Sequence, residues 1–328
     1  MMNKDQTMMQ AIVVSAYGGP EVLQCIQVPR PVAQPGEVLV RVHAAGVNPV
    51  DAWIRNGSYA RRTPPYTPGI DGAGEIVALG EGVNEYRVGD RVYLSGSVTG
   101  TYAEYARCLI SQVRVLPSHY TAKQGAGIYV PLATAYHALF HLARVQAGET
   151  VLVRGARGAV GQAVLQWCRL HGIDVIGSAS TDAGRAAVRA QGARVACAHD
   201  DLAQLLAATS GRGADVIIES HADHLDTDFS LLALHGRIVM LDRRGSIQLN
   251  LSETRVRNAQ VLFIAIFSAR PQEQQAIDLA LANALQQQQL VLTEGQCLPL
   301  AQAAQAHRLI EAGGSARLTL LPGQMIGN

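Results

Sequence analysis

A chain of 328 residues exceeds the usual size of one compact domain and is long enough to bury more than one core. Its 48% hydrophobic and 16% charged residues have the balance of a globular α/β protein, and no apolar run reaches the length of a membrane span. A formal charge of +1, with Lys4 and Lys123 as the only lysines, leaves no basic footprint for DNA or RNA. Cys25, Cys108, Cys168, Cys197 and Cys297 are scattered singly without a C-x-x-C, which suits a reducing compartment. Met1 to Gln10 lacks the apolar core of a signal peptide, so a cytoplasmic protein is expected.

The first third reads as short strands separated by turn residues: Ala11–Ser15, Val22–Val28, Gly36–Val42, Gly74–Leu79 and Asp90–Leu94, punctuated by Gly80, Gly82 and Gly89. A β-rich barrel or sandwich of roughly 120 residues is the architecture this pattern supports. Around Thr121 the texture turns helical, over Lys123–Gly127 and then Leu132–Arg144. From Val151 strands and helices alternate: Val151–Val153, Ala159–His171, Asp174–Ser178, Thr181–Gln191, Arg194–Ala198, Leu202–Ala208, Asp215–Glu219, a helix near Phe229–Leu234, Arg237–Leu241 and Val261–Phe267. Such alternation predicts a doubly wound parallel sheet. Pro271 opens a helix running to about Gln289, and a helix over Ala303–Glu311 followed by a strand over Ala316–Leu321 returns to the first domain. The expected domains are therefore 1–125, 126–269 and a return segment, 270–328.

Within the alternating part, Gly155, Gly158 and Gly161 fall three apart at the junction of the strand Val151–Val153 and the helix starting at Ala159. A glycine turn there lets backbone approach a pyrophosphate, whose charge the free amides of the helix start stabilise, so the turn points to dinucleotide binding. The competing reading is a tight glycine turn inside an α/β core. A second strand, Asp174–Ser178, follows at the distance a βαβ unit requires. NAD-binding units place an acid at the end of that strand for the ribose hydroxyls, whereas Gly177–Thr181 contains none. Ser180 and Arg185 are candidates for accepting a 2′-phosphate, Arg185 through charge-assisted bonds, which favours NADPH over NADH; Asp182 nearby keeps the other choice open.

Several stretches carry a resemblance: Gly46-Val47-Asn48-Pro49-Val50-Asp51, Asn56-Gly57-Ser58-Tyr59, Pro65 to Gly74, Gly89-Asp90-Arg91-Val92, Tyr102-Ala103-Glu104-Tyr105, Gln124-Gly125-Ala126, Thr134-Ala135-Tyr136 and Phe267-Ser268. From about Gln10 to Leu321 the chain resembles the zeta-crystallin-like quinone oxidoreductases, the zinc-free branch of the medium-chain dehydrogenase/reductases. The resemblance implies a GroES-like barrel joined to a Rossmann domain, NADPH as cofactor, and hydride delivery to a quinone or an α,β-unsaturated carbonyl. It implies catalytic roles for Asn48, Asp51 and Tyr59. Cofactor contacts are implied for Tyr59, Thr134, Arg157, Gly158, Ala159, Val160, Gly161, Ser180, Arg185, His199, Asp242, Arg243, Phe267 and Arg317. Without the resemblance, Asn48-Pro49 reads as a turn and Tyr59 as a loop aromatic.

Zinc-dependent relatives carry a cysteine at the place of Asn48 and a His-Glu pair at Ile70-Asp71, and neither set is present. His137 with His141 and His221 with His224 have metal-compatible spacings but no third ligand in sight, so no metal is expected. Three departures from the resembled pattern stand in the site: Arg157 in the phosphate turn, Leu241 to Gly245, and Asp223-His224. They raise the alternative of a non-catalytic NADPH-binding or sensing protein on the same fold. The apolar run Val261–Phe267 at the end of the sheet predicts a C2 homodimer by edge pairing, as the resemblance also implies; the alternative is an edge covered by the Pro271 helix.

Overall fold

A computed structural model describes residues 7–241, 251–313 and 317–323. The chain divides into two compact units, residues 1–130 with 292–328, and residues 131–291.

The first unit is built on a seven-stranded sheet in the order Gln296–Pro299, Leu318–Leu321, Glu37–Val47, Asp71–Leu79, Arg91–Ser95 and Val113–Val115, with Tyr105–Leu109 also pairing Glu37–Val47. All pairs are antiparallel except Gln296–Pro299 on Leu318–Leu321. Met8–Val14 and Leu23–Pro29 form a separate hairpin-like pair. Ile12, Val40, Ile76, Leu94, Tyr102, Leu300 and Leu320 belong to one buried cluster. Val40, Ile76, Leu94 and Leu320 come from strands of the sheet and Ile12, Tyr102 and Leu300 from segments outside it, and burying them stabilises the unit by the removal of apolar area from water. The strands Tyr105–Leu109, Val113–Val115 and Gln296–Pro299 are not among those expected from the sequence.

The second unit holds a six-stranded, wholly parallel sheet ordered Val195–Cys197, Asp174–Ser178, Thr150–Val153, Ala214–Glu219, Leu232–Met240 and Gln260–Phe263. The order reverses next to Thr150–Val153, the first strand of the unit, as doubly wound sheets do at their ligand side. Leu152, Ile217, Phe229, Leu232, Ile238 and Met240 pack together between the sheet and its helices.

Four expectations are corrected. The helix near Phe229–Leu234 ends at Leu231 and started at Leu225; Leu232 already pairs with Ala214 in the sheet, and one apolar run serves both elements. The strand expected over Val261–Phe267 spans Gln260–Phe263, because its partner strand ends at Met240, paired with Phe263; a 3-10 turn follows at Ile266–Ser268. The segment Leu132–Arg144 is an α-helix over Tyr129–Tyr136 that widens into a π-helical turn over His137–Leu142. The helix Pro271–Gln286 belongs to the second unit, so the return to the first begins at residue 292 rather than 270, and the forward boundary lies at 130 rather than 125.

Candidate active and cofactor-binding site

In the first unit, Asn48-Pro49 is a helix start, not a bare turn. Asn48 is the extended N-cap of the helix Pro49–Arg55, with proline in its first turn. Asp51, three residues on, accepts the Asn48 backbone N–H at 2.8 Å on Oδ2. The Asn48 side chain donates through Nδ2 to Asp71 Oδ2 at 3.1 Å, and Asp71 also accepts the Val130 N–H at 3.0 and 3.2 Å. Asn48 is thus held at its backbone by one carboxylate and at its amide by another. Asp51 and Asp71 are each 1% exposed. Burial pushes Asp51 up to about 7 and Asp71 up to about 8, against the lowering by the hydrogen bonds they accept.

Behind Asp51 runs a row of buried polar side chains. Tyr102 donates its hydroxyl to Asp51 Oδ2 at 3.4 Å and lies 3.3 Å from His307 Nε2; His307 Nδ1 lies 3.2 Å from Arg55 Nη1, and Arg55 Nη2 pairs with Glu311 at 2.5 Å. Arginine donates only, so His307 Nδ1 must accept and its proton must sit on Nε2. That proton points to Tyr102 oxygen, which leaves the Tyr102 proton for Asp51. Burial pushes His307 down to about 3, so it is the neutral ring.

Tyr59 sits apart from this row, half-buried, with its hydroxyl 3.5 Å from Arg61 Nη1 and its backbone N–H bonded to the Trp53 carbonyl. Arg317 is half-buried, donates through Nη1 to the Gly127 carbonyl at 3.2 Å, and its positive charge opposes the rise of Asp71. Its Nε and Nη2 are buried with no hydrogen-bond acceptor among the described residues.

In the second unit the three glycines of the turn have three different physical reasons. Gly155 has a φ of +71°, which disfavours a side chain. At Gly158 a Cβ would meet only the Gly155 carbonyl, at 3.3 Å, so its outer side is open to an approaching group. At Gly161 a Cβ would fall 2.6 Å from the Gly155 carbonyl oxygen, and only glycine lets the helix Ala159–Leu170 pack this close to the turn. Tight turn, close approach and helix packing are the requirements of a pyrophosphate cradle, and these residues fit one. Gly158 is the extended N-cap, and Ala159 and Val160 open the helix.

Around the cradle, Arg185 donates through Nη1 to the carbonyls of Ala179 at 3.0 Å and Ser180 at 3.2 Å and pairs with Asp182. Ser180 is exposed. His199 lies with Nδ1 2.7 Å from Ser178 Oγ and its ring stacked on His224, 5.9 Å between centroids. Burial, and then the charge of Arg154, lower the His199 pKa. Beneath, Arg154 is shared by two buried carboxylates, its Nε 3.3 Å from Glu219 Oε2 and 3.2 Å from Asp228 Oδ1. Thr134 is buried in the helix Tyr129–Tyr136, and Phe267 lies on the 3-10 turn Ile266–Ser268. Asp242, Arg243 and the rest of 242–250 lie outside the described residues. A cavity of about 710 Å³ lies elsewhere in this unit, lined by His137, His141, Arg237, Phe263 and Arg270 among others but by no residue of the cradle. His137 and His141 come within 3.1 Å at Nδ1, yet no group of three or more His, Cys, Asp or Glu among the described residues is placed to hold a metal ion.

Asp71, Tyr102, His307, Arg55 and the Arg154 cluster went unassigned in the sequence. Asn48 followed by Asp51, with Pro49 between, is a helix-start signal that was there to be read. Tyr102 and His307, 205 positions apart, left no such signal.

Residues 34–119 match the alcohol dehydrogenase GroES-like domain family and residues 159–282 the zinc-binding dehydrogenase family. The quinone oxidoreductase of Rattus norvegicus is 39% identical over 326 residues, covering 96% of this chain and 98% of the relative. The chain belongs to the zeta-crystallin-like quinone oxidoreductases. The Homo sapiens member of this family is 38% identical over 95% of the chain and 96% of its own length. Among solved structures, the Pseudomonas syringae quinone oxidoreductase superposes with a TM-score of 0.87 at 26% identity, over 96% of this chain and 100% of that one. A mycobacterial protein solved in complex with NADPH gives 0.87 at 28% identity, again over 96% and 100%. These matches span both units of the family fold.

Proposed function

We propose that the chain is an NADPH-dependent reductase of a quinone or an α,β-unsaturated carbonyl that works without zinc. The observation that carries the reading is the cradle Gly155–Gly161, in which each glycine answers a separate requirement of a bound dinucleotide. The names of the relatives, and the NADPH complex of a similar structure, support the same assignment.

NADPH, when bound, supplies the hydride. The chain's own residues bind, orient and stabilise charge. Asn48, its amide clamped by Asp71, offers its remaining Nδ2 proton to the oxygen on which negative charge develops, and Tyr59 offers its hydroxyl to the same oxygen. Asp51, buried and turned toward the Asn48 backbone and Tyr102, is a positioning residue. Gly158, Ala159, Val160 and Gly161 hold the pyrophosphate, with Thr134, His199, Phe267 and Arg317 as further cofactor contacts. The site's polar groups at Asn48 and Asp71 suit a hydrogen bond to a substrate oxygen.

Titration with NADPH and NADH, followed by the decay of reduced nicotinamide with a panel of quinones and enones, tests the proposal. Binding, turnover and their loss in Asn48→Ala and Tyr59→Phe are expected; binding of neither nucleotide at millimolar concentration overturns it. A second reading, a nucleotide-binding protein without turnover, draws on Asn48 being only 6% exposed with one amide proton already taken by Asp71. Tight NADPH binding with no turnover on the whole panel would establish that reading instead.

We also propose a C2 homodimer. The strand Gln260–Phe263 is the last of its sheet among the described residues, and Phe263 is 60% exposed there. A monomeric mass at micromolar concentration overturns the dimer.

A further inference from the structure

The phosphate turn and the helix Asp182–Ala190 meet at Gly184. A Cβ at Gly184 would fall 2.4 Å from Arg157 Cδ, 3.0 Å from Thr181 Oγ1 and 3.2 Å from Ala179 Cβ. The stem of Arg157 therefore crosses bare backbone at Gly184, beside the residues that follow the second strand of the parallel sheet. Its guanidinium makes no hydrogen bond or ion pair with any described residue, although the side chain is half-buried. A half-buried cation without a counterion is a group that an anion would satisfy.

Arg185, the cation that the sequence suggested for this place, is already partnered. Its donors go to the carbonyls of Ala179 and Ser180, and Asp182 offsets its charge. Two arginines thus reach the end of the second strand, one committed to its own backbone and one without a partner among the described residues. In a doubly wound nucleotide-binding unit that strand end faces the 2′ position of the adenosine ribose, where a phosphate distinguishes NADPH from NADH.

We infer that Arg157, and not Arg185, recognises the 2′-phosphate and sets the preference for NADPH. The inference rests on the dinucleotide reading given under the proposed function. The fork of Arg157 suits two phosphate oxygens, and Gly184 is the residue that makes room for its stem.

The test uses the full chain and compares NADPH with NADH by fluorescence titration in wild type, Arg157→Ser, Gly184→Ala and Arg185→Gln, with melting temperatures as a check on folding. In Arg157→Ser the ratio of NADPH to NADH affinity should fall by about 10- to 100-fold, the range of a lost charge-assisted bond or two. Gly184→Ala, whose methyl occupies the place of Arg157 Cδ, should lower the ratio in the same direction with every charge retained. Arg185→Gln should leave the ratio within about threefold of wild type. Equal weakening of both nucleotides by Arg157→Ser would place Arg157 on the pyrophosphate and overturn the inference, as would collapse of the ratio in Arg185→Gln alone. A wild type that binds both nucleotides equally overturns it too while leaving the dinucleotide reading intact; a wild type that binds neither removes the reading itself.

Discussion

The two units bury ionisable side chains by opposite means. In the parallel-sheet unit, Glu219 and Asp228, both at 0% exposure, share the guanidinium of Arg154, itself 1% exposed. One cation between two carboxylates leaves a surplus negative charge, and burial together with Glu219 holds the Asp228 carboxyl well above its usual range, as the protonated acid. In the antiparallel unit, Asp51 and Asp71 accept hydrogen bonds from backbone N–H groups, an amide and a phenol, with no ion pair to either among the described residues. The first arrangement depends on the presence of one cation, whereas the second depends on the protonation state of its members. The difference fixes how each should fail: the first through substitution, the second through pH.

The largest effect of a single substitution should come from removing the shared cation. Arg154→Met leaves the buried Glu219 carboxylate without its cation, beside the protonated Asp228, and should destabilise the protein by about 3–5 kcal/mol, read from the shift of a urea unfolding curve. A loss below about 1 kcal/mol would mean that both acids are already neutral and that the contrast between the units is false.

The next is an effect of rising pH, from weakly acidic to weakly alkaline solution. A carboxyl raised in the folded state contributes stability that is present below its unfolded pKa, about 4, and lost as pH rises through its folded value. With Asp51 at about 7 and Asp71 at about 8, stability should fall between pH 5 and 8 at up to about 1.4 kcal/mol per pH unit for each group. Asp71→Asn should flatten part of this slope and, because Asn48 loses one of its clamps, lower kcat about tenfold while leaving the Kd for NADPH unchanged. A pH profile identical to wild type would remove Asp71 from the set of titrating groups.

On the acid side the sign reverses. The lowered pKa of His307 stabilises the fold above 6.5, and that contribution is lost as pH falls toward about 3. The His307 contribution to the unfolding free energy should drop by about 2 kcal/mol between pH 6.5 and 5, opposing the gain from Asp51 and Asp71 over the same range, and it is read as the difference between the wild-type and His307→Gln profiles. The smallest effect is Tyr102→Phe, which deletes one neutral hydrogen bond to Asp51 and should cost about 1 kcal/mol, with a further rise in the pKa of Asp51 visible in the same pH profile.

Much of the fold was legible in the residues because strand alternation and the βα rhythm are local signals. The parallel strands Asp174–Ser178 and Ala214–Glu219 lie within a residue of their expected bounds. Where locality ends, so did the reading: Leu231 and Leu232 belong to one apolar run, and only pairing with Ala214 turns the second of them into sheet. The glycines of the cradle could be read because each answers to its neighbours in sequence. The ion pair of Arg185 with Asp182, one turn earlier, is equally local, although the sequence reading weighs Asp182 only for its bearing on the cofactor. The row from Asp51 to Glu311 joins residues up to 256 positions apart and was beyond any pattern of spacing.

That row has a sense of direction. Because Arg55 can only give protons, it dictates from the outside which nitrogen of His307 is bare, and each hydrogen inward from it follows in turn to Asp51 and the backbone of Asn48. Glu311, 37% exposed at its side chain, is the outer anchor of Arg55. A substitution at this surface carboxylate would therefore reach the interior as a loosened orientation of one buried ring, far along the chain from any residue expected to touch substrate.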